Sequence, residues 1–239
     1  MQHQLLKYGL AAVMAANLSV SAAEVHQHEG DIQPWKANGQ IELNAYLFEA
    51  DFGDLSGGLY STDDPGYDAD TDHGAFGAGN WLQFTGLGNL QFWDGSSWGT
   101  PVAGETVHIE DAVGNTTIFG GASITNPQGV IGEFDSAGDI HEHLDMEIRT
   151  AANALGGTVG AYWITLQLFE SLPNSQDALA ISSTYDIIFN RGLGHEDFET
   201  AVSTVTAPVP LPGAAWLFAP ALVSLLGVGR RRSAASNWA

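Results

Sequence analysis

Apolar and polar residues alternate in short runs through the middle of the chain, and few stretches carry a helical period. From Gln40 to Glu49, Ile41, Leu43, Ala45 and Leu47 fall on one face, which predicts a strand. Trp81–Phe84 and Leu90–Trp93 read as short aromatic strands, and Asp94-Gly95 between Trp93 and Trp98 is a hairpin turn. Thr106–Glu110 alternates Val107 and Ile109 against Thr106, His108 and Glu110, and Thr116–Phe119 reads as another short strand. Ile140–Ile148 alternates throughout. Val159–Phe169 predicts the longest strand, with Tyr162, Ile164, Leu166 and Leu168 together, and Thr184–Asn190 the last. Ala50–Gly79, rich in Asp and Gly, reads as a long loop. Gly194-His195-Glu196-Asp197 opens a helix, with Phe198, Ala201, Val202 and Val205 at helical spacing and acids in the first turn, where the dipole favours them. There are 29 glycines in 239 residues, in keeping with short strands and many turns. The pattern predicts a mostly all-β fold: a single antiparallel β-sandwich or jelly-roll-like domain with one short C-terminal helix.

The two ends break this pattern. Residues 1–23 have a polar start with Lys7, an apolar stretch from Gly9 to Leu18, and small residues from Ser19 to Ala23. This is the layout of a secretory signal peptide, cut after Ala22 or Ala23. At the other end, Ala207-Pro208-Val209-Pro210-Leu211-Pro212-Gly213 leads into an apolar run from Ala214 to Val228, closed by Gly229-Arg230-Arg231-Arg232. As a helix over 213–229 the run spans roughly 25 Å, enough for a thin bilayer. The three arginines would stay on the cytoplasmic side. The expected organisation is therefore a signal peptide (1–23), a β-rich extracytoplasmic domain (24–206) and a sorting tail (207–239) with a transmembrane helix.

Charge narrows the partners. All 28 acids lie between Glu24 and Glu199, where Lys36, Arg149 and Arg191 are the basic residues. Such a surface repels nucleic acid and anionic lipid and attracts cations. The chain has no cysteine, which excludes disulfides and thiolate metal sites.

The candidate chemistry centres on two His-x-His pairs. In Asp139-Ile140-His141-Glu142-His143-Leu144-Asp145-Met146-Glu147, a strand places His141, His143, Asp145 and Glu147 on one face and Ile140, Leu144, Met146 and Ile148 on the other. Same-face neighbours on a strand stand about 6.5–7 Å apart, so two imidazoles can lean onto one metal. His26 and His28 form the second pair, with Glu24, Glu29 and Asp31 near in sequence. Cleavage after Ala23 would also create a Glu24-Val25-His26 terminus, whose free amine and third-position histidine suit square-planar Cu(II) or Ni(II).

Other constellations carry less. Asp68-Ala69-Asp70-Thr71-Asp72 opens like a calcium loop, but an EF-hand needs glycine where His73 stands and glutamate where Gly79 stands, so Ca²⁺ is the weaker expectation. His73 and His108 stand alone. Gly95-Ser96-Ser97-Trp98-Gly99 fits a serine-hydrolase elbow in letters, but Gly99-Thr100-Pro101 denies the helix that must follow. No acid pair of a glycosidase can be singled out. No catalysis is expected.

The tail segment Val209-Pro210-Leu211-Pro212-Gly213-Ala214-Ala215-Trp216-Leu217-Phe218, with its arginine cluster, resembles the PEP-CTERM sorting signal, in the variant beginning Val-Pro-Leu-Pro-Ala; Gly213 departs from the usual alanine. The resemblance implies a Gram-negative exporter, with Pro210, Pro212, Arg230, Arg231 and Arg232 in a signal read by an exosortase. The body is similar to a group of zinc-repressed PEP-CTERM proteins. The matching pieces are His26-Gln27-His28 with Asp31-Ile32, Tyr46–Gly53, Thr62-Asp63-Asp64-Pro65-Gly66-Tyr67, His141-Glu142-His143-Leu144 and Ile187–Asn190. That resemblance implies metal handling outside the cytoplasm, with His26, His28, His141 and His143 as ligands.

The resulting expectation is an exported protein, retained at the cell surface or in the matrix, that captures zinc or a similar divalent ion. Signal peptidase and exosortase would process it, and the C-terminal helix would hold the precursor in the membrane. The alternative expectation is a structural or adhesive matrix component beside extracellular polysaccharide, without a specific metal site.

Overall fold

The computed structural model describes residues 30–55, 58–102 and 104–206. The signal peptide, His26, His28 and the sorting tail with Pro210, Pro212, Arg230, Arg231 and Arg232 lie outside these residues. In chain order the strands are β1 (Pro34–Ala37), β2 (Gln40–Leu43), β3 (Leu47–Asp51), β4 (Ser61–Thr62), β5 (Tyr67–Asp68), β6 (Trp81–Trp93), β7 (Trp98–Gly99) and β8 (Thr106–Glu110). They continue with β9 (Thr116–Gly120), β10 (Ile124–Thr125), β11 (Gln128–Glu133), β12 (His141–Glu142), β13 (Asp145–Arg149), β14 (Gly160–Ser171) and β15 (Ala178–Arg191), followed by helix α1 (His195–Thr206).

The larger sheet runs β1-β2-β15-β14-β6-β11, with β3 added on β15 and β7 on β6. The smaller sheet runs β10-β9-β8-β13-β4, and β12 with β5 makes a separate two-stranded ribbon. The inner faces of the two large sheets share one core, which gives the fold its sandwich-like character. Leu82, Phe84, Tyr162, Ile164, Leu166, Ile187 and Phe189 come from one side, and Val107, Ile109, Phe119, Met146 and Ile148 from the other. Each such side chain contributes on the order of 1.5–3 kcal/mol relative to exposure. The sheets approach closely at Gly86, where a Cβ would fall 2.7 Å from Phe119 Cζ. On the outer face of the larger sheet, Phe198, Ala201 and Val202 of α1 cover Trp93, Ala161 and Ile188.

The predicted all-β character and the terminal helix are present, and several boundaries differ. Gln40–Glu49 is two strands, because Asn44 leaves the ladder: its side chain accepts from Gln33 N at 2.8 Å and donates to Asp31 O at 2.9 Å. The larger sheet is mixed rather than purely antiparallel, because β3 joins β15 in parallel from Leu47↔Asp186 to Asn190↔Asp51. The two aromatic runs before Asp94 are one strand with a bulge, since pairing with β14 steps from Thr165↔Leu87 to Trp163↔Gln91. Within the expected 50–79 loop, β4 and β5 each pair with the 141–149 region.

Candidate metal centre

The Ile140–Ile148 alternation spans two strands in two sheets. Ile140 and Leu144 are both buried and anchor the ends of a short step, with His141, Glu142 and His143 between them. On the near side β12 pairs with β5, setting His141 opposite Asp68. Beyond the step, β13 pairs with β8. The two histidines do come together, with ring centroids 5.3 Å apart and planes at 49°. Ile140, Leu144, Met146 and Ile148 are buried as the alternation requires, while Asp145 and Glu147 lie on β13 in the smaller sheet. Asp145 stands opposite Glu110 there, and Glu147 accepts from Arg149 Nε at 2.8 Å.

What His143 meets comes from the segment expected to be loop. Asp64 N donates to Thr62 Oγ1 at 3.1 Å, and that hydroxyl donates to Asp54 Oδ2 at 2.7 Å, which fixes the turn through Asp63 and Asp64. Gly66 N donates to Asp31 Oδ1 at 3.1 Å, and Ile32 N donates back to Gly66 O at 3.0 Å. His143 then lies against Gly66. Its Nδ1 is 2.9 Å from the carbonyl oxygen of Asp63 and 3.7 Å from Asp64 Oδ1. With Nδ1 protonated, the ring donates to Asp63 O. In the other tautomer its lone pair faces the same oxygens.

Among the described residues, the His, Asp and Glu side chains close enough to share an ion are Asp63, Asp64 and His143, whose ligand atoms lie within 4.8 Å of one another. One imidazole and two carboxylates make a mixed nitrogen–oxygen set, of the kind that holds divalent ions at about 2.0–2.2 Å. His141 stands beside this set with Nδ1 3.4 Å from Asp68 Oδ1, both side chains about half exposed.

Asp64 also borders a cleft of about 310 Å³ lined by Gly30, Asp31, Glu49, Ala50, Asp51, Asp54, Asp64 and Pro65. Burial raises the Asp54 carboxyl above its ordinary range against the Thr62 hydrogen bond, and the charges of Asp64 and Asp63 raise it further. Burial likewise raises Glu49, with Glu199 and Asp51 adding and His195 opposing. These carboxylates repel one another, and a cation at their edge would relieve that repulsion.

The other histidines have local roles. His73 Nδ1 is 2.6 Å from Asp70 Oδ2, and Asp68 faces His141, so the carboxylates of the suspected calcium loop do not converge. His108 Nε2 is 3.0 Å from Thr106 Oγ1, and burial first, then the Arg149 charge, lowers its pKa. Ser96 bonds through Oγ to Asp94 Oδ1 at 2.8 Å inside the β6–β7 turn. His26 and His28 fall outside the described residues. Asp63 and Asp64 were not anticipated as ligands. Their only sequence mark is the string Thr62-Asp63-Asp64-Pro65-Gly66, an acid pair between a turn-forming threonine and a Pro-Gly. No protein-family model matches this chain, and no curated protein matches it in sequence.

Proposed function

We propose that this is an exported protein, held at the cell surface or in the extracellular matrix, that captures a zinc-like divalent ion on a jelly-roll-like β-sandwich. The observation that carries this reading is the approach of His143 to Asp63 and Asp64, with the His141 ring 5.3 Å from His143. The acidic cleft at Asp64 would raise the local cation concentration. His26 and His28 would join from the amino-terminal side. The described chain starts at Gly30, and Asp31 bonds the glycine on which His143 rests, so chain connectivity favours their recruitment.

Export rests on the leader and on the tail's resemblance to an exosortase signal. In this reading signal peptidase removes 1–23, helix 213–229 anchors the precursor, and exosortase acts at the Pro210 and Pro212 side of it. Among the described residues no helix is long and apolar enough to cross a membrane. Catalysis has no part in the proposal.

Metal analysis of the exported form, followed by zinc calorimetry after chelation, tests the site. One bound ion per chain is expected, lost when His141 and His143 are both changed to alanine. A zinc-silent wild-type protein that still partitions with extracellular polysaccharide would replace this reading with the matrix-component one.

A further inference from the structure

A second polar cluster lies away from the histidines, around Glu170 of β14. This side chain has no exposed surface. Its Oε2 accepts from Lys36 Nζ at 2.5 Å, and its Oε1 accepts from Asn80 Nδ2 at 2.7 Å and from Gly77 N at 2.9 Å. An amine and a carboxamide therefore sit on the two oxygens of one buried carboxylate. Both partners are held by their backbones. Lys36 N donates to Gly74 O at 3.0 Å; Asn80 N donates to Gly77 O at 3.0 Å, and Asn80 O accepts from Phe134 N at 2.9 Å. Gly77 permits the close approach, since a Cβ there would fall 2.3 Å from Asn80 Nδ2 and 3.1 Å from Glu170 Oε1.

Stability alone does not explain the arrangement. A buried ion pair is often no better than an apolar pair of the same volume. Yet the only lysine between Glu24 and Thr206 is placed here.

We infer that Lys36, Glu170 and Asn80 form an isopeptide-forming triad, in which the lysine amine condenses with the asparagine side chain. Glu170 accepts a proton from the Lys36 ammonium, freeing the lone pair of Nζ. Nζ attacks Cγ of Asn80 and forms the new Nζ–Cγ bond. Glu170 returns the proton to Nδ2, the Cγ–Nδ2 bond breaks, and the second amine proton follows the same route. The leaving group departs as ammonium, Glu170 ends ionised as it began, and no oxidant or external reactant is consumed. Holding both groups on one carboxylate makes the attack intramolecular, and well-oriented intramolecular reactions reach effective molarities on the order of 10⁵–10⁸ M. Lys36 is 29% exposed, which leaves ammonium a way out. The product ties β1 to the residue before β6 and closes a covalent ring that contains β2 to β5, a brace in a chain without cysteine.

Peptide mass spectrometry of the purified full chain, denatured and digested with trypsin, tests this. The expected result is no cleavage after Lys36 and a single peptide running through to Arg149, one ammonia lighter than its linear sequence, with backbone fragment ions missing between Lys36 and Asn80. Glu170→Gln should leave Lys36 cleavable and Asn80 intact, and Asn80→Asp should give the same link with loss of water. A linear peptide ending at Lys36 beside an unmodified Asn80 in wild-type protein overturns the inference, whatever the variants do. A link that persists in Glu170→Gln overturns the role given to Glu170.

Discussion

His143 rests directly on Gly66: a Cβ added to that glycine would fall 2.5 Å from Cε1, 2.6 Å from Nε2 and 2.8 Å from Nδ1 of the imidazole. The glycine thus sets where the ring can stand, and its backbone N–H holds Asp31. Gly66→Ala should move the ring away from Asp63 and Asp64. The expected cost is about 1–3 kcal/mol of stability from overpacking. Zinc affinity should fall by about tenfold or more, as when a group orienting a ligand is lost. Thermal melting and calorimetry on one sample separate the two effects. Unchanged affinity in a folded Gly66→Ala protein would remove His143 from the ligand set.

The two histidines should not be equivalent. His143 lies among both carboxylates, whereas His141 faces Asp68 and solvent. His143→Ala and Asp64→Asn should each weaken zinc binding more than His141→Ala does. Protons compete with the metal for imidazole nitrogen, so affinity should fall on acidification. Calorimetry across a pH series reads both expectations, and equal losses from His141→Ala and His143→Ala would argue for a site centred between the rings.

Asp54 provides a pH test with a definite sign. Its folded-state pKa is raised, by burial first and then by Asp64 and Asp63, against the Thr62 hydrogen bond. The native state therefore holds this proton more readily than the unfolded chain. The ionised group opposes folding at neutral pH, and that penalty is relieved as pH falls through the raised value. Asp54→Asn keeps an acceptor for Thr62 and should raise the melting temperature of metal-free protein at pH 7. The gain should shrink towards acid, and also with saturating zinc. A lower melting temperature at pH 7 would contradict the repulsion described for this cleft.

Glu105 is a structural acid. It is buried, and its carboxylate accepts from Thr158 N at 2.8 Å, Thr158 Oγ1 at 2.7 Å and Tyr162 OH at 2.7 Å. Burial first, then Glu105, raises the phenol of Tyr162. Glu105→Ala should cost about 1–3 kcal/mol for each buried donor left unpaired. Denaturant unfolding measures this loss, and zinc binding should be unchanged in protein that still folds.

The amino terminus of the exported form carries a separate expectation. A chain beginning at Glu24 should bind Cu(II) or Ni(II) in a square-planar nitrogen set, and one beginning at Ala23 should not. Intact mass identifies the terminus, and the visible spectrum on copper addition reports the geometry.

Much of the sheet was legible because period two survives wherever one face is buried. Val107 and Ile109, and Tyr162 through Leu168, stand inside as their alternation requires. The helix was equally legible, since Phe198, Ala201 and Val202 return at its period and the acids mark its start. Of the features that escaped, two come from the alternation itself. Residues 81–93 hold a bulge, and alternation resets across a bulge, so one strand looked like two. In 140–148 the alternation runs on while the chain passes from one sheet to another, so a single period concealed two strands.

By itself the sequence determined the β-rich class, the sign of the surface charge, the absence of thiol chemistry and the pairing of His141 with His143. These follow from composition and from neighbours along one strand, which need no knowledge of distant contacts. Only the tertiary structure decided that Asp63 and Asp64 stand beside His143, and that Lys36, Asn80 and Glu170 meet. Such groups are separated by up to 134 positions in the chain. Their meeting depends on sheet order and on close approaches at Gly66 and Gly77, which local periodicity does not encode.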